Sequence, residues 1–488
     1  MSSGAGDLIA AAAAYFFRRI VNGAFVCYNA DMKRLRFLTA LWLGKIAVLA
    51  CRVLGRGGTD MPGRLALKIC PDVLKYLSSG VNTVLITGTN GKTTTSRIVE
   101  RGLAAAGLDC FANRSGANLL SGIVTCFASN AKLSGKSRHD WAVIECDEAA
   151  LKFVTLYIKP VSLTVTNIFR DQLDRYGEVT HTLSSIRTSV ANIPGAVLCL
   201  NADCSLTWSA ADDAKNAVIS FGVDVPIYRG EVSDLSDAPY CSRCKSRYNY
   251  DYRTFGHLGG WRCSSCENKR HQPDIRVTRI LSSGESGTAV VMSIFDSEYT
   301  ARINLAGGYN VYNACAAAAC LHSAGVGDGT VIEALGSFEG GFGRMEEFSL
   351  GGVSARMILV KNPAGCNQVI NYLCSGSGPA LFVICLNDRA ADGTDISWIW
   401  DVEFENLAAR KDRLTGLWVS GVRADDMALR LKYAGFDEGE LRVIRDYNEL
   451  LDEIAAQSSP VYIMPTYTAM MDLRGIMTKR FKLKKFWM

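Results

Sequence analysis

Apolar residues fall along this chain in a pattern that changes twice. From residue 83 onward, short unbroken apolar runs at 84–87, 141–145, 161–166, 196–200 and 218–221 alternate with longer segments of helical period. Unbroken apolar strands are buried on both faces, and strands separated by helices assemble as a parallel sheet. The pattern predicts an α/β domain with a parallel, doubly wound sheet, continued by an Ala-rich helix over 312–324 and a further helix over 330–335. Around Gly340-Gly-Phe-Gly343 that run closes. A second series at 355–360, 380–386, 414–420, 441–444 and 461–464 predicts a separate, smaller α/β domain. Ahead of both, residues 1–60 read as helices with alternating basic and apolar faces, ended by the linker Gly55-Arg-Gly-Gly-Thr-Asp-Met-Pro-Gly63. The segment 37–54 is apolar but carries Lys45 and Arg52, so it falls short of the ~20 uninterrupted residues of a membrane span. It predicts an amphipathic helix, packed on the protein or lying at a membrane surface. The expected division is 1–60, 61–343 and 344–488.

Composition adds limits rather than direction. The 488 residues suit about three domains of ~150 each. With 48% hydrophobic and 21% charged residues, a large core is available. A net charge of +5 is too mild to imply nucleic acid, and none is expected as a partner. Basic residues do gather in the tail, at Lys479, Arg480, Lys482, Lys484 and Lys485. The apolar stretch 9–17 lacks a preceding basic region, so no secretory signal is predicted. Seventeen cysteines do not make a disulfide framework, because most stand singly in apolar runs (Cys199, Cys315, Cys320, Cys385), where cysteine acts as a small hydrophobe. The expected location is the cytoplasm, where thiols stay reduced, with peripheral contact at the inner face of the cell membrane as a further option.

The chemistry begins where the first strand ends. Gly88, Thr89, Asn90, Gly91, Lys92, Thr93 and Thr94 join an apolar strand to a helix. Backbone N–H groups of such a loop point at phosphate oxygens, and the helix dipole adds partial positive charge. Lys92 is placed to reach the terminal phosphates of ATP, and Thr93 to hold Mg²⁺. Glu145 closes a later strand, at the carboxyl edge where ligands of open parallel sheets sit, and is the candidate second oxygen ligand for Mg²⁺. Its neighbour Glu148 reads equally well as an acid at a helix N-terminus.

Cys241, Cys244, Cys263 and Cys266 form two Cys-x-x-Cys pairs with 18 residues between them. Tyr248, Tyr250 and Tyr252 alternate in between, as along a strand. This is the spacing of a four-thiolate zinc ribbon, expected as an insertion over about 228–273, with Zn²⁺ in a structural role. A redox pair or an iron–sulfur site are the alternatives. His257 and His271 nearby read as ordinary surface residues.

The short loop form Gly88-Thr-Asn-Gly91-Lys92-Thr93, with Ile86 where a general phosphate loop has glycine, resembles that of the Mur ligase family. Three more segments follow in that family's order. Thr166-Asn167-Ile-Phe-Arg170-Asp171-Gln172-Leu-Asp174 is similar to a segment that contacts a second metal, though Gln172 replaces a histidine. No lysine lies between Lys159 and Lys215 to take the family's carbamylated position. Gly308-Tyr-Asn310-Val-Tyr-Asn313 is similar to a helix start whose asparagines contact the adenine side of ATP. Gly343-Arg344-Met-Glu346 is similar to a turn whose arginine faces the phosphates. The fold implied is a Mur ligase-like α/β central ATPase domain with a zinc ribbon insertion and a smaller α/β C-terminal domain.

In the C-terminal part, Asp388 to Asp401 holds four aspartates and two tryptophans within fourteen residues. Asp388 and Asp392 suit turns, and Asp395 suits a helix N-cap, but neither a cap nor a turn needs Asp401. Together with the cysteine pairs and the absent lysine, this segment resembles the MurT branch, the Mur-ligase-like subunit of lipid II isoglutaminyl synthase. That resemblance implies ATP-dependent amidation of the D-glutamate α-carboxylate of lipid II, as a heterodimer with a GatD-like glutamine amidotransferase. It also implies an aspartate completing the partner's Cys–His pair, with Asp401 first and Asp395 second. The competing readings are a Mur or folylpolyglutamate-type ligase that adds an amino acid, and a nucleotide-gated scaffold.

Overall fold

The computed structural model describes residues 32–51, 53, 59–113, 117–170, 179–227, 237–284, 286–338, 344–376 and 378–481. They divide into two compact units. The first holds the described residues up to Val81 together with Ala117–Asp140. The second holds the described remainder.

The first unit is helical: residues 32–51, Met61–Ile69, Val73–Leu77 and Leu120–Asn130. One side of helix 32–51 buries Phe37, Ala40, Leu41 and Ala47, with the Phe37 ring 5.1 Å from that of Tyr76. The helices Met61–Ile69 and Leu120–Asn130 cross closely at Gly63, where a Cβ would fall 1.8 Å from the Ser121 carbonyl oxygen. Any side chain there would push the pair apart.

In the second unit, the apolar runs of the central region become strands β1 (Asn82–Thr87), β2 (Cys110–Ala112), β3 (Trp141–Glu145), β4 (Ser162–Val165), β5 (Val197–Asn201) and β6 (Val218–Val223). A separate hairpin, β7 (Tyr248–Phe255) and β8 (Leu258–Cys263), follows, and then β9 (Ile275–Gly284), β10 (Gly287–Ile294) and β11 (Ser297–Ile303). The nine-stranded sheet runs β11-β10-β9-β6-β5-β4-β1-β3-β2. It is parallel from β2 through β9, as the pattern predicts, and antiparallel across β9, β10 and β11. That antiparallel edge is not evident in the sequence, because β9 and β11 are half exposed and lack the continuous apolar run of a buried strand. β1 lies inside the sheet between β4 and β3, buried from its second residue onward. Its carboxyl end is therefore held rigidly where the phosphate loop begins.

A second sheet contains β12 (Arg344–Leu350), β13 (Val353–Ile358), β14 (Ala380–Cys385), β15 (Leu414–Ser420), β16 (Leu441–Val443) and β17 (Val461–Pro465), in the order β12-β13-β17-β14-β15-β16. Its two faces pack separate cores, one around Phe382, Ile399 and Phe404, the other around Val383, Leu450 and Ile463.

Candidate functional site: a phosphate loop, a cysteine cluster and an aspartate held by arginine

The loop after β1 bends through two glycines at positive φ, Gly88 at +123° and Gly91 at +89°. Space requires glycine as well. A Cβ on Gly88 would stand 2.3 Å from Thr166 Oγ1, and one on Gly91 2.0 Å from Asn313 Oδ1. Gly91 is the N-cap of the helix Lys92–Ala105, so Lys92, Thr93 and Thr94 form its first turn. Buried Lys92 donates from Nζ to Gly88 O at 2.5 Å and to Glu148 Oε1 at 3.0 Å. Thr93 Oγ1 donates to Glu145 Oε2 at 2.8 Å. Glu145 ends β3 opposite Ile86 of β1, and its backbone is bracketed by the Asn113 amide, with bonds of 2.8 and 2.7 Å. Asp147 caps the next helix through Ala149 N–H, leaving Glu148 free to meet Lys92. Glu148 is thus more than a helix-end acid: a buried ammonium needs a counter-charge, and it supplies one.

Thr89 and Asn90 fasten the loop to the segment after β4. Thr89 N–H donates to Asn167 O at 2.9 Å, and its hydroxyl bonds both backbone groups of Phe169. Asn90 N–H donates to Asn167 Oδ1 at 3.0 Å, and Thr166 Oγ1 donates to Asn90 O at 2.7 Å. The Asn90 side chain also exchanges amide hydrogen bonds with Asn362, which in turn caps the helix Pro363–Ser375 through Gly365 N–H. Asn362 was not singled out from sequence, although Asn-Pro before an apolar helix is an N-cap signal.

A cavity opens beside the loop, walled by Gly91, Thr94, Phe255, Tyr309, Asn310 and Asn313. Asn313 Nδ2 donates to Asn310 Oδ1, and Asn310 Nδ2 to Ala306 O, so both amides are fixed against the loop. Arg344 opens β12, but its side chain lies outside the described residues, as do Asp171, Gln172 and Asp174.

Phe255 belongs to the tip of the cysteine hairpin. Its ring stacks on Phe169 at 5.5 Å and meets Tyr312 edge-on. His257, expected at the surface, is instead fully buried: its Nε2 lies 3.4 Å from Cys204 Sγ and its ring 4.4 Å from that of Phe169. The hairpin tip turns inward, and local sequence gave no sign of that. His271 is exposed as expected. At the other end of the hairpin, the sulfurs of Cys241, Cys244, Cys263 and Cys266 all lie within 4.8 Å of one another. Cys241 and Cys266 are 3.8 Å apart, the spacing of about 3.8 Å that a tetrahedron of ~2.3 Å zinc–sulfur bonds requires. Burial works against the Cys241 thiolate, but the Asn268 amide and backbone N–H groups of Cys244 and Arg243 bring its pKa down to about 6. The hairpin is bolted to the central sheet by Trp261 Nε1 on Ala202 O and by Arg270 on Asp203 and Asp224. Buried Asp203 also accepts from the Tyr312 hydroxyl at 2.7 Å.

The four aspartates of the C-terminal segment separate by role. Asp388 pairs with Arg423. Asp392 is buried and accepts from Thr468 N–H at 2.6 Å. Asp395 accepts from Ser397 N–H at 2.8 Å, at the start of the 3₁₀ turn Ser397–Asp401. Asp401 makes no cap. Its carboxylate meets Arg170 Nη2 at 3.0 Å while staying 42% exposed. Arg170 directly follows the 166–169 segment that the phosphate loop is bonded to. One guanidinium therefore joins the loop's support to the candidate aspartate.

Residues 86–242 match the Mur ligase middle domain, and residues 359–470 match the MurT ligase C-terminal domain. Over 451 residues the chain is 33% identical to the lipid II isoglutaminyl synthase (glutamine-hydrolyzing) subunit MurT of Staphylococcus aureus (strain N315), covering 92% of this chain and 99% of the relative. The chain belongs to the MurT family. The corresponding MurT subunit of Streptococcus pneumoniae is 32% identical over 453 residues. Among solved structures, a pseudomurein peptide ligase type C from Methanothermus fervidus shares the fold with a TM-score of 0.64 at 19% identity, over 84% of this chain and 81% of that one. MurF ligase from Thermotoga maritima in complex with ADP superposes with a TM-score of 0.59 at 14% identity, over 86% and 84%.

As a MurT-family ligase of Mur type, the protein is expected to use ATP and Mg²⁺, and the loop fits both. Gly88 and Gly91 let the loop turn tightly against Thr166 and Asn313, and the Lys92 ammonium lies at the mouth of that turn, on the Gly88 carbonyl. The Thr93 hydroxyl and Glu145 carboxylate are the hard oxygen donors Mg²⁺ prefers. The sulfur cluster of this MurT-type chain fits a tetrahedral thiophilic ion.

Proposed function

We propose that the chain uses ATP to activate the α-carboxylate of D-glutamate in the lipid II stem peptide, and that ammonia from a GatD-like glutaminase subunit converts it to D-isoglutamine. A carboxylate resists ammonia because hydroxide and oxide are poor leaving groups. Attack of a carboxylate oxygen on the γ-phosphorus, with loss of ADP, gives an acyl phosphate. The ammonia lone pair then attacks the carbonyl carbon, phosphate departs, and a proton is lost to solvent or a base. The first step needs positioning and charge neutralisation more than covalent help from the protein.

Lys92 and the first-turn amides of the helix that Gly91 caps would hold the phosphates, in a loop that Gly88 bends and Thr89 and Asn90 fasten to Asn167, with Thr94, Asn310 and Asn313 beside the nucleotide. Thr93 and Glu145 would hold Mg²⁺, which neutralises phosphate charge when bound. Family resemblance assigns Arg344 to the transferring phosphoryl group, where a permanent planar cation is well suited. Cys241, Cys244, Cys263 and Cys266 would hold a structural Zn²⁺. Asp401, with Asp395 second, would orient the partner's histidine, which a Cys–His pair requires. The proposed domains are 1–60, 61–343 and 344–488, and the protein would act in the cytoplasm on a substrate presented at the membrane.

The observation that carries this reading is the match to a MurT subunit over 99% of the relative's length, in a chain whose phosphate loop keeps its full donor set. The test is to incubate the complex with ATP, glutamine and lipid II and to weigh the stem peptide. Replacement of OH by NH₂, dependent on both ATP and glutamine, is the expected result. ADP release with free amino acids, and none with glutamine plus lipid II, would refute it.

A further inference from the structure

We propose that the outward face of helix 32–51 and the adjoining turn dock this protein on an anionic lipid bilayer. The inference does not depend on the amidation reading. An amphipathic helix buries one apolar stripe and shows a polar one. This helix is apolar on opposite sides. Phe37, Ala40, Leu41 and Ala47 face its own unit. Leu35, Trp42, Ile46 and Leu49 face away, 59%, 46%, 60% and 62% exposed, and Val53 continues their line at 79%. Spacings of seven, four, three and four residues put these five on one side of a helix, over about 27 Å at 1.5 Å per residue. Such a contiguous patch needs a partner phase.

Charge identifies that phase. Between Asp31 and Asp60 the chain has no acidic residue, while Lys33, Arg34 and Arg36 stand exposed at the start of the helix. Trp42 Nε1 donates to Leu133 O at 3.0 Å, which places the turn after helix Leu120–Asn130 against the stripe. That turn offers exposed Leu133 between exposed Lys132 and Lys136. The described residues of this unit carry ten Lys and Arg against three Asp, a surplus of seven, where the whole chain has a surplus of five. Of these, Lys33, Arg34 and Arg36 lie at the start of the striped helix and Lys132 and Lys136 on the turn beside Trp42. Apolar side chains, a tryptophan with its N–H satisfied, and lysines at the rim are the equipment of a helix lying in a bilayer interface. No helix among the described residues is long and apolar enough to cross a membrane, so the docking is in the plane.

The test is co-sedimentation of the full chain with vesicles. Wild type is expected to pellet with phosphatidylglycerol-containing vesicles, less as salt rises, and not with pure phosphatidylcholine. Ile46→Glu with Leu49→Glu should lower that binding ~tenfold or more. Lys132→Glu with Lys136→Glu should remove much of its salt dependence, and as a surface pair it keeps the test valid if the first variant misfolds. Unchanged binding by both variants would overturn the proposal by placing attachment elsewhere. So would vesicle binding that appears only after residues 1–31 are deleted, which would make that segment the occupant. A dimer abolished by Ile46→Glu and Leu49→Glu, without vesicle binding, would make the occupant a second copy and equally overturn it.

Discussion

The phosphate loop and the acidic segment 388–401 both concentrate polar residues after a buried strand, yet they are built on opposite plans. In the loop, backbone geometry does the work: two glycines at positive φ make the bend, and Lys92 and Thr93 follow within one helical turn. The loop's course is set by neighbours in sequence, and its side chains then find distant partners in Glu145, Glu148 and Asn362. In the acidic segment the aspartates lie as close together, but their tasks diverge. Three are spent on the fold, on Arg423, Thr468 and Ser397. Only Asp401 reaches out of its own domain, to Arg170. Asp401 is the one of the four whose task its neighbours in sequence do not account for.

This contrast yields graded expectations. Asp401→Asn in the complex should cut glutamine hydrolysis by up to about 10⁴-fold, the scale seen when a base loses its orienting carboxylate. Added ammonium salt should restore amidation, since activation of the carboxylate is untouched. Lys92→Ala should cut ATP-dependent amidation by about 10²–10³-fold. Ammonium should not rescue it, while glutamine hydrolysis persists. If ammonium rescues both variants or neither, the division between the two regions collapses. Asn362→Ala removes a helix cap together with the amide pair to Asn90, and thermal unfolding should report a loss of about 1–2 kcal/mol. Asp395 stands one residue before the N-cap position, Ile396, and Asp395→Asn should change stability by only a few tenths of a kcal/mol, because the Asn oxygen accepts from Ser397 N–H as the Asp oxygen does. A large fall in glutaminase activity with that substitution would transfer the role assigned to Asp401.

The legible parts of the molecule are those where cause and effect lie within a few residues. Strands β1, β3 and β15 stand where their apolar runs end, and the cysteine pairs declare a cluster by spacing alone. Across longer distances the sequence is silent. Lys92 and Glu148 meet across 56 positions, and Asn90 and Asn362 across 272. Arg170 and Asp401 are brought together only by the packing of the two sheets' domains. His257 illustrates the same limit in reverse: preceded by Gly256 in a hairpin turn it reads as surface, until the tip folds inward against Phe169. The antiparallel edge β9 to β11 escaped because exposed strands carry no unbroken apolar signature.

The cysteine hairpin has a bearing on the nucleotide that its distance along the chain conceals. Its tip supplies Phe255 to the cavity wall, and Asp203 ties its base to Tyr312 on the helix that carries Asn310 and Asn313. If an ion in the thiolates and a nucleotide in the cavity both order this hairpin, the two are thermodynamically linked, and linkage is reciprocal. Whatever factor the ion in the thiolates adds to nucleotide affinity, the nucleotide must return to the ion. A cell short of that ion would then find this ligase losing its grip on ATP, and abundant ATP would make the ion harder to strip away.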